Sequence, residues 1–535
     1  MASAIASYRR LTAAALIAAA ANLAAAAGLD PARPMDEATA RALLSRFGYG
    51  ATPASLAQAM AQTPRQYLMH AIVDGSALPA PVADGIAKLP VSAPLDSFWA
   101  RLGPGGSARG DRLDETARQA LQRQENEFAR AAVQARLLAM ANGDNPGHEA
   151  LLSFWLNHFS IFAPKNLDKL LAWDYVGAID RAMATDSFEA LLRASFYHPA
   201  MQVYLDNAQS TAGNSIAAEK AAERGKRLGI NENLARELLE LHTLGVDGGY
   251  NLKDVQELAR IITGAGVFGP NMNQRALDRA GAVRRGEFLF DPRRHDFGAK
   301  VFLGERFPAG GGIEEIDRAL HLMAASPATG RRIAFKLAQR FLADDPPAQV
   351  VAAMAEGYRR SGGRISATLL PLLESPAFAE SLAKPTKFKE PLDYVISAAR
   401  AVCGDAPVAN GRILAATVLD MGEAPLMHTT PDGYGNRESD WMSPAAMAKR
   451  VRLAIGLGAR RVPLAHDSEE GIVRLQPSGQ DVKLAMLQGE PCRLDAASLE
   501  QLVGPVSPAT RTAAAGLPPR EQAAVLLASP EFMRR

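Results

Sequence analysis

The sequence predicts a mainly α protein: a large multi-helix bundle with at most a small β-hairpin. Three observations point there. Apolar residues recur at helical spacing from residue 36 onward. Aromatic residues make up only 6% of the chain while alanine is abundant, which suits closely packed helices better than an aromatic-rich sandwich. Hydrophobic residues at 48% and charged residues at 22% over 535 positions are ordinary globular usage, enough for a sizeable core and unlike a disordered or many-pass membrane chain. Lys plus Arg, 59, against Asp plus Glu, 57, leaves a formal charge of +2 without long runs of one sign, so no electrostatic footprint for nucleic acid is visible.

The elements follow in order. Residues 1–27 read as a cleaved export signal: Arg9-Arg10, an uncharged stretch from Leu11 to Ala27, and Ala25-Ala26-Ala27 before Gly28 as a small-residue cleavage site. The stretch is short and weakly apolar for a stable span, and the arginine pair matches a twin-arginine signal only loosely, so the export route stays open. No long apolar run follows, which predicts a soluble periplasmic or extracellular protein without a transmembrane anchor. Residues 28–400 are expected to form the main helical domain, and 401–535 helical and loop elements packed on it. Short helices are predicted at 36–47, 52–60 and 64–73, then a Pro/Ala connection from Pro79 to Pro94 and a Gly-rich loop at 103–110 that lacks a phosphate-binding motif. A long amphipathic helix runs from Leu113 to Met140, and Asn145-Pro146-Gly147 breaks the chain. Leu151–Phe162 is apolar on nearly every helical face, marking a central buried helix in which Asn157 and His158 stand out. Residues 287–290 and 300–303 flank a polar stretch and are expected to pair as the hairpin. Residues 433–440 and 489–495 look like excursions on a helical base. Cys403 and Cys492 permit one disulfide in an oxidising compartment; two buried thiols are the alternative.

The densest segment is Asn231–Thr263. Taken as one α-helix from Asn233, it places Leu234, Leu238, Leu241 and His242 in one apolar arc, and Asn233, Arg236, Glu237 and Glu240 on the opposite face, with Arg236 and Glu240 spaced to pair. Gly245 ends that helix, and Asn251 with Asp254 forms a capping box for the next. The bland account is a solvated charged face and a hydrogen-bonded core histidine. The functional account buries both faces, so that Glu237 and Glu240 act as acid/base or ligand carboxylates with His158 and His242 in support. The spacing completes no known metal set, so metal and cofactor stay unspecified.

Binding candidates outside that segment are Asn157, Asp206, Asn207, His295 and Asp296, alongside Asn233 and Arg236 within it. Each also has a structural reading: His198 before Pro199 as a helix start, Asp206-Asn207 as a C-terminal turn, and His295-Asp296 as a loop-pinning pair. No GxSxG elbow supports a serine hydrolase. Arg332, Lys336 and Arg340 form a basic stripe, read as a solvated face, with contact to an acidic glycan as the alternative.

These residues carry a resemblance. LLSFWLNHFSIF, HPAMQVYLDNAQS, NENLARELLELHTLGVDGGY with DVQELARIITG, FDPRRHDFG, KLAQRFLADDPP and LDMGEAPLMHTTPDGYG resemble, in order, the bacterial family called domain of unknown function 1800, over roughly residues 36–460. The resemblance implies an exported, mainly helical protein, often encoded beside a second exported family of phosphatase/sulfatase-like fold, and it brings no settled activity. Two positions depart from the family pattern: Leu156 stands where a second histidine is frequent, and Ala265 where an aromatic residue is. Matching positions include Asn157, His158, Asp206, Asn207, Asn231, Asn233, Arg236, Glu237, Glu240, His242, Arg260, His295 and Asp296. The expected function is hydrolase-like, on an envelope or extracellular polymer. The alternatives are a non-catalytic helical scaffold for another exported protein and a glycan-binding protein without turnover.

Overall fold

The computed structural model describes residues 29–91, 115–269, 272–465, 492 and 496–535. The signal segment, the 103–110 loop and the 489–495 excursion apart from Cys492 lie outside them. Helices dominate the described residues, with one three-stranded and one two-stranded sheet. None of these helices is long and apolar enough to cross a membrane.

Local chemistry sets the helix starts. Asp36 caps Glu37–Arg46 by accepting from Thr39 N, and Thr52 and Thr63 each close a capping box ahead of a proline in the first turn. The same proline effect corrects the expected connection at 79–94: Ala80–Lys88 is a helix, because Pro81 is tolerated in its first turn and Val82 and Ile86, four apart, bury together. Asn145 likewise caps rather than breaks. Its side chain accepts from His148 N, so the central helix runs Pro146–His158 and stops before Ser160.

The long helix, Glu115–Asn142, divides its second half among three clusters of buried residues. Ala129 and Ala132 join the largest, around Trp155 and Phe159; Val133, Leu137 and Met140 join one built on the Pro391–Cys403 helix; Ala131, Ala135 and Leu138 cover Val82 and Ile86. Burial on several sides explains its small, closely packed residues there.

The expected hairpin is replaced by two sheets. Strand β3 (Phe288–Phe290) lies between β1 (Ala265–Val267) and β2 (Val283–Arg285), both antiparallel to it. Strand β4 (Lys300–Phe302) pairs with β5 (Glu305–Phe307) across Leu303-Gly304, both at positive φ. β3 and β4 each found a partner, β2 and β5, across a two-residue connection, which costs less closure entropy than the nine residues separating β3 from β4.

The basic stripe is not a solvated face. Arg340 is buried and held by Glu390 and by both oxygens of Asp393, at 2.9 and 2.8 Å. Arg535 adds a 2.7 Å ion pair to Asp393, and its carbonyl accepts from buried Arg46 at 2.7 Å. Arg332 and Lys336 are largely enclosed and face the site described next. A disulfide joins Cys403 to Cys492.

Candidate functional site

Segments far apart in sequence meet the loop from His428 to Asn436: Asn157 at the end of the Pro146–His158 helix and Tyr204 bond to its backbone, while Glu237 and, from Pro327–Phe341, Lys336 lie within electrostatic reach of its Asp432. Tyr204 donates to Thr429 O at 3.1 Å and lies within electrostatic reach of Asp168, Asp432 and Glu237. Asn157 fastens the loop by donating to Tyr434 O at 3.0 Å and accepting from Tyr434 N at 2.8 Å. Gly433, at φ +73°, passes so close that a Cβ would stand 2.3 Å from Asn157 O, so only glycine fits there.

The segment read as a continuous α-helix changes its winding. Asn233–Glu237 is α-helical and Leu238–His242 is a π-turn. The wider turn rotates His242 relative to Glu237, and its released carbonyls find partners: Leu238 O accepts from the Thr243 hydroxyl, Leu239 O from Gly245 N, and Leu241 O from Arg332 Nε. Such turns recur at functional sites. The capping box of Asn251 and Asp254 is present as expected.

His158 and His242 come together in the interior. His158 Nε2 donates to His242 O at 3.0 Å, while His158 Nδ1 and both His242 ring nitrogens are buried without a hydrogen bond. Burial, with the nearby Lys336 and Arg332 charges, holds His242 down to about 3 and His158 well below its ordinary value, so both rings are neutral at pH 7.

Glu237 and Glu240 sit on the neighbouring, half-buried face but are treated differently. Glu240 lies 3.6 Å from Arg236 and is hydrogen-bonded by Tyr250, whose pKa burial and that carboxylate raise to about 12. Glu237 makes no hydrogen bond or ion pair among the described residues, and burial followed by the Glu240 charge raises its pKa, with Asp432 adding to the effect. Lys336 forms no hydrogen bond or ion pair among those residues either. Burial and Arg332 pull it down to about 7, against the opposing attraction of Asp432. A carboxyl of raised pKa and a poised amine thus share Asp432 as a neighbour.

The remaining candidates sort themselves by contact. Asp206, at φ 59°, accepts from Lys165, which also donates to Tyr204 O, and beside them Asp168 is buried with neither oxygen hydrogen-bonded. Burial raises the Asp168 pKa well above the carboxylate range. Asn207 bonds Gln202 inside the core, and Asn233 is exposed at its helix start. His295 and Asp296 belong to another network: His295 Nδ1 donates to Thr263 O at 2.8 Å, Asp296 takes two bonds from Arg260, and Lys300 pairs with Glu315 at 2.7 Å. His198 caps Pro199–Tyr204 and reaches Asp174.

Sequence reasoning placed Lys336 on a solvated face and did not single out Asp432, Tyr204 or Tyr250 as site residues. The visible signal for two of them was a lysine flanked by Ala334, Leu337 and Ala338, and an aspartate inside a Pro-Asp-Gly turn. Among the described residues no three His, Cys, Asp or Glu side chains gather to hold a metal ion.

The family model described as "Protein of unknown function (DUF1800)" matches residues 42–534. No curated protein and no solved structure matches the chain.

Proposed function

The chain belongs to the DUF1800 family, and from its own site we propose that it is an exported hydrolase acting on an envelope or extracellular polymer. The observation that carries this reading is Glu237: a half-buried carboxyl with no hydrogen bond or ion pair among the described residues, whose pKa is raised by burial and by the Glu240 and Asp432 charges against the attraction of Arg236. In the proposed reaction Glu237 protonates the leaving group as the scissile bond breaks, and the water whose oxygen bonds to the scissile centre returns a proton to Glu237. Glu240, fixed by Arg236 and Tyr250, stabilises positive charge developing at the scissile centre. Lys336, when protonated, receives anionic groups of the substrate without surrendering an existing ion pair. His158 and His242, neutral and enclosed, hold the π-turn that aims Glu240. The disulfide supports a location outside the cytoplasm, where such bonds persist.

The test is turnover of neutral and anionic envelope polysaccharides and of peptidoglycan, followed by release of new chain ends. Glu237→Gln is expected to lower the rate by about 10²–10⁴-fold, the range for loss of a general acid, with melting temperature preserved. Glu237→Gln with wild-type turnover removes the assignment. No product from any polymer, together with co-purification of a stoichiometric exported partner, returns the scaffold reading.

A further inference from the structure

A second place in the molecule pairs a buried cation with empty apolar space. A cavity of about 470 Å³ opens where the Glu37–Arg46, Pro376–Ala383, Pro391–Cys403 and Ala496–Val503 helices meet the segment leading to Arg534. Its walls are largely apolar, with Leu29, Ala42, Leu382, Ala401, Leu502 and Phe532 among them. Lys389 and Ser397 also line it, at 4% and 2% exposure.

Lys389 Nζ donates one hydrogen bond, to Ser397 Oγ at 3.1 Å, and stands 3.9 Å from the centre of the Phe532 ring. It has no ion pair among the described residues. The carboxylates close to it in sequence are taken: Glu390 binds Arg340, and Asp393 binds Arg340 and Arg535. An ammonium has three donors, and a buried one left without an anion is costly. Burial accordingly pulls Lys389 down to about 7, against the attraction of Asp393. The pair is built for binding rather than nucleophilic attack, because the Ser397 hydroxyl donates to Tyr394 O within its own helix and Lys389 is the donor to it.

We propose that this cavity binds an aliphatic monocarboxylate of the fatty-acid class, with the carboxylate on Lys389 Nζ and the chain along the apolar wall. The volume lies in the range of sites that enclose a small ligand. Arg41 and Arg534 also line the cavity, but Glu37 and Glu438 pair with them, so the cation left to balance a ligand is the single ammonium of Lys389, which matches a single negative charge. Glu531, held at the same wall by Ser507 N and the Thr510 hydroxyl at 2.9 Å each, adds a negative group that weighs against a doubly charged phosphate.

The experiment is calorimetric titration of the purified full chain with decanoate, decanol and decyl phosphate. Decanoate is expected to bind one-to-one, with decanol and decyl phosphate each weaker by about tenfold or more, equivalent to 1.4 kcal/mol. Lys389→Met should weaken decanoate to the level of decanol while leaving the melting temperature unchanged or higher. Ala42→Trp, which fills the cavity, should abolish both. Absence of decanoate binding to the wild-type chain, equal binding by Lys389→Met, or tighter binding of decyl phosphate than of decanoate each overturns the proposal.

Discussion

His242 is buried with neither ring nitrogen hydrogen-bonded, and the partly buried Lys336 lies within electrostatic reach of it; each therefore ties stability to pH. His242 titrates near 3 when folded against 6.5 unfolded, so the unfolded chain takes up the proton first as pH falls. The stability it contributes is complete above 6.5 and is lost progressively towards 3. Lys336 titrates near 7 when folded against 10.5 unfolded, so between those values the unfolded chain again binds more proton and stability rises with pH. Melting curves between pH 4 and 10 should show Lys336→Met as more stable than wild type at pH 7, with that advantage shrinking towards pH 10. His242→Leu should flatten the loss below pH 6. A lower melting temperature for Lys336→Met at neutral pH would mean that the ammonium is well compensated. Glu237 predicts an activity limb with the same logic: turnover should persist above the ordinary carboxylate value of 4.5 before falling as Glu237 ionises, and Glu237→Gln should erase that limb.

The π-turn and the His428–Asn436 loop are the elements that make these residues neighbours. Gly433→Ala is expected to force the loop off Asn157, since the new methyl group would overlap a backbone oxygen. Limited proteolysis should then cleave near residue 433 while the remaining chain resists; an uncut loop would show that Asn157 is not its anchor. Thr243→Val leaves Leu238 O without its hydroxyl donor and should cost about 1–3 kcal/mol, the range for an orphaned buried acceptor, read as a lower melting temperature. How far the sequence discloses these elements depends on the range of the forces involved. Caps and turns are local chemistry, so Asp36, Thr52, Thr63, Asn251 and Asp254 announce their helices. The burial of His242 follows from its apolar neighbours whichever way the turn winds. The π-turn leaves no such trace, because it is one extra residue per turn stabilised by Arg332, which arrives from another helix. Strand pairing was misjudged for a related reason: β3 and β4 each had a nearer partner than one another. Lys336 and Arg340 look like surface residues within Pro327–Phe341, and only their cover, Glu390, Asp393 and the loop around Asp432, reveals that they are not.

At the scale of the whole molecule, segments far apart in the sequence are held together by charge and by a covalent bond. Arg340→Ala would leave Glu390 and Asp393 buried with only Arg535 to answer them, and removal of one partner from a buried ion pair costs about 3–5 kcal/mol. That variant should unfold at distinctly lower denaturant, and a shift below about 1 kcal/mol would mean that water reaches the cluster. Reduction of Cys403–Cys492 opens a loop spanning 89 residues and, on the chain-entropy account, removes about 4–5 kcal/mol. The Cys403→Ala, Cys492→Ala chain should therefore melt lower than wild type, with the wild-type protein falling to the same value in reductant. The bond from Arg46 to Arg535 has a consequence in time. Its two residues lie 489 positions apart, and at about 5–20 residues per second a ribosome needs on the order of 25–100 s to deliver the second after the first. Throughout that interval Arg46 of the nascent polypeptide lacks this acceptor, and its guanidinium depends on water and, once they are made, on the carbonyls of Phe341, Leu342 and Ser381.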